Sequence, residues 1–184
     1  MKNINIDFLI RKKACDGGVD WLESQNTVDF YELYELAKKD GLLLYVNWYI
    51  AKLMNKTQAI KYAIFAAESV VDVWNDYDFN DTRPQDAIDA AKNYLINGSI
   101  DATDDAADDA YTAADDAYAA YAYNAAAAAN AANAAANAAY TADDAYTAYN
   151  AAYNAANAAN AAYTMNGTET LIKIIDYGIE LLEN

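Results

Sequence analysis

Apolar side chains recur along this chain at intervals of three and four residues, and no stretch of strict alternation reads as a strand. The pattern predicts helices with recognisable punctuation. Asp29 with Glu32 opens a helix that runs through Lys38 and stops at Gly41. Leu43, Val46, Ile50, Leu53 and Met54 mark the inward face of the next. Thr57 caps another, with Ile60, Ala63, Ile64, Ala67, Val70, Val71 and Trp74 at helical spacing. A polar loop follows over 75–83, then Pro84 at a first helical position. That helix turns Ala87, Ala91, Tyr94 and Leu95 inward and stops at Asn97-Gly98. Thr168 caps the last helix, whose Leu171, Ile172, Ile174, Ile175, Ile179 and Leu182 dock on a core.

The pattern changes character near Gly98. From Ile100 to Thr164 the chain is about half alanine, mixed almost entirely with Asp, Asn, Tyr and Thr. Alanine has the highest helix propensity, and neither Gly nor Pro interrupts before Gly167, so the segment reads as helix rather than disorder. Asp-Asp-Ala-Tyr recurs at Asp108, Asp115 and Asp143, which places Tyr111, Tyr118, Tyr146 and Tyr153 in one heptad position. Tyr121, Tyr149 and Tyr163 share a second, three residues on. Such spacing puts tyrosine along one helix face, read here as the packed seam. Asn130, Asn133 and Asn137, and likewise Asn150, Asn154 and Asn157, are read as a wet face.

One unbroken helix over this stretch would be roughly 95 Å long, against a diameter of about 40 Å for a compact chain of this size. The segment therefore folds back. The best break is Tyr140-Thr141-Ala142-Asp143-Asp144, where Thr141 can cap a new helix with Asp144 at its third position. A second break is expected around Tyr121 to Asn124. The fold class is all-α, a multi-helix bundle with long antiparallel Ala/Tyr-rich helices in its C-terminal half. Residues 1–97 form a mixed-charge helical part and 98–184 an Ala/Tyr/Asn/Asp-rich part closed by a C-terminal helix, the two making one cooperative unit.

Charge and chemistry narrow the function. Twenty-eight Asp and Glu oppose twelve Lys and Arg, a net charge of −16 over 184 residues, with no histidine and one cysteine, Cys15. Serine- or cysteine-histidine catalysis and imidazole metal sites are excluded. A single cysteine forms neither an internal disulfide nor a thiolate zinc cage. The sign of the charge opposes binding to nucleic-acid phosphates or an anionic membrane and suits a basic protein. No secretory leader or strongly apolar run of membrane-spanning length is read, so the expected location is cytoplasmic. Cys15 reads as a small buried hydrophobe, and Trp21, Trp48 and Trp74 as core.

Three segments resemble an uncharacterised family of immunity proteins found in bacterial and phage genomes. They are Ala14-Cys15-Asp16-Gly17-Gly18-Val19-Asp20-Trp21-Leu22, Ala59 through Val70, and Asp81-Thr82-Arg83-Pro84-Gln85-Asp86-Ala87 through Lys92, leading into the Ala/Tyr-rich tail. The resemblance implies an all-helical fold and a role in conflict between genomes, and it supplies no catalytic residues. Relatives look richer in Lys and Arg through the Ala/Tyr region, whereas this chain has neither between Asn93 and Ile172.

Asp101, Asp104, Asp105, Asp108, Asp109, Asp115 and Asp116 fall largely along one side of a helix, and Asp143 and Asp144 start another. Asp104-Asp105-Ala106-Ala107-Asp108 matches the spacing by which helical prenyl-diphosphate enzymes hold magnesium, but the cations needed to grip a diphosphate are missing nearby. The expectation is therefore no enzyme, no cofactor and no metal. An ice-binding helix is disfavoured because the threonines are not spaced by eleven. The leading expectation is an immunity-type or anti-defence inhibitor whose acidic helix face covers a basic protein, a nuclease toxin or defence effector. The alternative is a phage sponge that sequesters a small nucleotide immune signal in a pocket lined by Tyr, Asn and Arg83, with Arg83 as anion anchor and Trp74 or a tyrosine stacking on the base. Otherwise Arg83 locks its loop by pairing with Asp81 or Glu68. A homo-oligomer joined through tyrosine stripes is the third possibility.

Overall fold

The computed structural model describes residues 3–78, 80–98, 103–119, 123–140 and 147–184. Side chains of residues 140, 147–156, 158, 159 and 161–166 fall outside that description. The regular elements of the described chain are all helices, as the periodicity predicts, beside an isolated bridge between Asn3 and Asp29. Its elements are α1 (Ile6–Arg11), α2 (Asp16–Glu23), α3 (Phe30–Asp40), α4 (Leu43–Leu53) and α5 (Lys56–Glu68), then α6 (Val71–Tyr77), α7 (Arg83–Asn97), α8 (Thr103–Ala119), α9 (Tyr123–Tyr140) and α10 (Thr147–Glu183). None of the described helices is long and apolar enough to cross a membrane.

Local chemistry sets the boundaries. Asp29 Oδ1 accepts from Tyr31 N at 2.9 Å and Glu32 N at 3.1 Å, starting α3, and Gly41 ends it at φ 73°. Gly98 ends α7 in the same left-handed conformation. Asn55, not Thr57, caps α5: its side chain accepts from Gln58 N while Gln58 Oε1 accepts from Asn55 N, both at 3.0 Å. The helix expected to run on to Trp74 instead breaks after Glu68. Ser69 Oγ turns back to the Phe65 carbonyl at 2.7 Å, and Val70 leaves helical geometry before α6 begins.

The expected folding-back of the alanine-rich half is present. α8 ends at Ala119 and α9 begins at Tyr123; α9 ends at Tyr140 and α10 begins at Thr147. Thr141, Asp143 and Asp144, on which the proposed cap rests, lie outside the described residues. Contacts between Tyr118 and Tyr123 at one end and between Asn133 and Ala107 at the other make α8 and α9 an antiparallel hairpin. Gly167, at φ 74° and ψ −162°, interrupts α10 one residue before Thr168, where a new helix is predicted to start.

The seam of this hairpin is alanine, not tyrosine. Ala107, Ala110, Ala113, Ala114 and Ala117 of α8 are buried, while Tyr111 and Tyr118 are more than half exposed. α9 is buried on almost every side, between α8, α7, α5, α6 and α10, through residues such as Ala129, Ala132, Ala135 and Ala139. Small side chains let the axes approach closely, which leaves no room for a tyrosine ring between them. Of the asparagines read as a wet face, Asn130 and Asn157 are exposed, the side chains of Asn150 and Asn154 fall outside the description, and Asn133 and Asn137 are half-buried; Asn133 Nδ2 donates across the seam to the Ala107 carbonyl at 2.7 Å.

Large side chains fill the rest of the core, where Phe30, Ile50, Tyr62 and Trp74 share one cluster with Leu171, Ile174 and Ile175 of α10. The last helix therefore docks as its spacing predicts. Residues before and after Gly98 contribute to this one continuous core. Of the three tryptophans expected inside, Trp74 is buried and Trp21 and Trp48 are half-buried. Cys15 is exposed, because it is the residue from which α2 starts and not part of the helix's inward face.

Candidate functional site: the carboxylate face of the α8 helix

α8 sorts its residue types by angle. At about 100° per residue, Asp104, Asp105, Asp108, Asp109, Asp115 and Asp116 fall within an arc of about 140°, and all six are exposed. The buried alanines occupy the opposite arc, and Tyr111 and Tyr118 lie on the border between the two. Thr112 sits among the carboxylates, with its hydroxyl donating to the Asp108 carbonyl at 3.0 Å. Tyr123, at the start of α9, packs edge-on against Tyr118 with ring centroids 5.1 Å apart. The face is therefore a row of carboxylates about 18 Å long edged by exposed aromatic rings. Asp101, Asp143 and Asp144 lie outside the described residues.

Among the described residues one cation reaches this face. Arg83 Nη2 contacts Asp116 Oδ2 at 3.0 Å and Asp81 Oδ2 at 2.6 Å, while its Nε lies 2.9 and 3.0 Å from the two Asp81 oxygens. These hydrogen bonds hold the Asp81 carboxyl below its usual range and raise the guanidinium further. Trp74 Nε1 donates to the Asp81 carbonyl at 2.8 Å from within the core. Arg83 thus locks its loop through Asp81, one of the two partners expected; the other, Glu68, pairs with Lys92 at 2.8 Å. The further Asp116 contact ties α7 to α8. Arg83 and Trp74, expected as anion anchor and stacking ring, both hydrogen-bond Asp81 here.

The remaining five carboxylates, Asp104, Asp105, Asp108, Asp109 and Asp115, enter no salt bridge among the described residues. Neither do they converge. Among the described residues no group of three or more acidic or thiol side chains is gathered closely enough to hold a metal ion. Helical geometry explains this, because neighbours in Asp104-Asp105-x-x-Asp108 radiate outward from a convex surface. The arrangement presents charge to a surface and does not enclose an ion.

Reading tyrosine as the seam missed the aromatic border. The signal was available: the alanines flanking each Asp-Asp pair mark a face of their own, and taking them as the packed face puts Tyr111 and Tyr118 at its edge. No family model, curated protein or solved structure matches this chain.

Proposed function

We propose that this protein is a non-enzymatic inhibitor, of the immunity or anti-defence kind, that docks on a basic protein through the exposed face of α8. One observation carries the reading: five carboxylates without salt bridges among the described residues share a single exposed arc, bordered by the half-exposed rings of Tyr111 and Tyr118. Unpaired charge in such a row raises the rate of encounter with a cationic surface and makes that rate salt-dependent. Exposed tyrosines supply what charge alone lacks, since aromatic side chains dominate the energetics of protein interfaces and accept arginine against their faces. The alanine seam and the Arg83 clasp keep the face rigid, so little ordering entropy is lost on docking.

The test starts from proteins that co-purify with this chain in infected or toxin-expressing cells, and titrates the recovered partner's activity. Stoichiometric inhibition is expected, weakening as salt rises, and lost when Asp104, Asp105, Asp108 and Asp109 are all replaced by Asn. Inhibition that survives the four substitutions, with helix content unchanged, would refute the reading.

A further inference from the structure

A cavity of about 310 Å³ lies between α1, α2, α3 and α4, with Asn160 of α10 in its wall. Its volume falls within the usual span of small-molecule sites. The walls are chiefly aromatic and aliphatic. Trp21 and Tyr45 lie 6.4 Å apart, Phe30 and Tyr49 stack at 6.0 Å, and Tyr34 and Trp48 complete the aromatic lining. Lys13, Cys15 and Leu44 line the cavity and are exposed, so it opens to solvent on their side.

The charge that lines the cavity has one sign. Lys13 is the single charged residue lining the cavity, and no carboxylate lines it, although the chain as a whole carries a net charge of −16. Lys13 enters no ion pair among the described residues. Its backbone is at φ 59°, the one positive value at a non-glycine among the described residues, and this turn brings Lys13 and Cys15 to the rim together. Asn160 Oδ1 accepts from Asn47 Nδ2 at 2.9 Å, which leaves its amide hydrogens as the donors for anything inside. Flat apolar walls with a cation and an amide donor fit a flat apolar body bearing negative charge.

We infer that this cavity binds a small planar aromatic anion of the aryl-carboxylate class, with its ring among Trp21, Tyr45 and Trp48 and its carboxylate toward Lys13. This site is separate from the α8 face and does not depend on the inhibitor reading. Cys15, the sole cysteine of the chain, supplies a reporter at the rim.

The probe is indole-3-acetate, with indole-3-acetamide as its uncharged counterpart, followed by calorimetry and by the rate of Cys15 alkylation with iodoacetamide. One-to-one saturable binding is expected. At ten times the dissociation constant, alkylation should slow about tenfold, because only the empty fraction reacts. A Cβ on Gly18 would sit in ordinary contact with Cys15 Sγ at 3.5 Å and the Tyr45 ring at 3.8 Å, so a Gly18→Leu side chain, extending from there among the residues that line the cavity, should abolish binding. Cys15→Phe fills it from the rim and should do the same in calorimetry. Lys13→Asn keeps a residue that tolerates positive φ while removing the charge. It should weaken the acetate several-fold and leave the acetamide unchanged. The inference is overturned by the absence of saturable binding to the wild-type chain, by equal affinity for the acetamide, or by binding that persists in folded Gly18→Leu and Cys15→Phe variants.

Discussion

A Cβ built on Gly178 of α10 would stand 2.6 Å from Cε2 of Tyr62, the fully buried ring at the centre of α5. Ile50 Cδ1 would lie at 2.7 Å on the same side. The last helix sits directly on this ring because residue 178 has no side chain. Alanine in a helix interior ordinarily gains up to about 1 kcal/mol over glycine. Here Gly178→Ala should instead cost about 1–3 kcal/mol by overpacking. Gly18→Ala is the matched control, since its Cβ meets nothing closer than 3.5 Å, and it should be neutral or stabilising. Urea melts of the two variants check the opposite signs.

Tyr62 also anchors a buried polar chain. Its hydroxyl donates to Asn47 Oδ1 at 2.7 Å, and Asn47 Nδ2 donates to Asn160 at 2.9 Å, linking α5, α4 and α10. Asn47 is fully buried, so the Tyr62 hydroxyl makes its hydrogen bond away from water. Tyr62→Phe should cost about 1–3 kcal/mol. Burial holds the Tyr62 phenol well above its ordinary pKa, and burial with the Asp176 hydrogen bond does the same for Tyr34. A raised folded pKa contributes stability that is complete below the unfolded value of about 10 and is lost as pH rises beyond it. Thermal melts above that value should show a fall in stability that is smaller in the Tyr62→Phe variant.

Large apolar residues at helical spacing identified α4, α5, α7 and the end of α10, because burying such side chains leaves one register open to each helix. Asp29, Gly41 and Gly98 fixed ends whose backbone geometry few other residues allow. The Asn47–Asn160 link was not legible, since it joins residues 113 positions apart and asparagine reads as a surface residue. The carboxylate arc followed directly from spacing. Its tyrosine border was misread because a tyrosine buries more area than an alanine, and area was weighed above the close approach that small residues permit. The cavity at Cys15 depends on the packing of four short helices, which no local pattern encodes.

The seam makes a prediction that separates the two packings. Ala110 and Ala129 are fully buried, so Ala110→Leu or Ala129→Leu should cost about 1–3 kcal/mol. Tyr111 is 54% exposed, and Tyr111→Ser should stay within about 0.5 kcal/mol. A tyrosine seam would give the reverse order in chemical denaturation.

The Arg83 clasp ties stability to acid. The guanidinium, through its side-chain hydrogen bonds, depresses the Asp81 pKa in the folded state. A depressed carboxyl contributes stability that is present above the unfolded value, about 3.9, and disappears as pH falls through the folded value. Asp116 lies at the same guanidinium and keeps part of the interaction when Asp81 is gone. Asp81→Asn should therefore lower stability at neutral pH by about 1–3 kcal/mol and flatten the acid limb of the stability curve below about pH 4. Asp116→Asn should cost less, within about 1 kcal/mol, because that carboxylate is 65% exposed. Arg83→Ala should reproduce the acid behaviour of Asp81→Asn, since both remove the same hydrogen bonds. Thermal melts of the three variants between pH 2.5 and 7 (a range of about 4.5 units spanning the carboxylate transition) decide it. A wild-type acid limb that matches that of Asp81→Asn would mean that the clasp contributes nothing to folding.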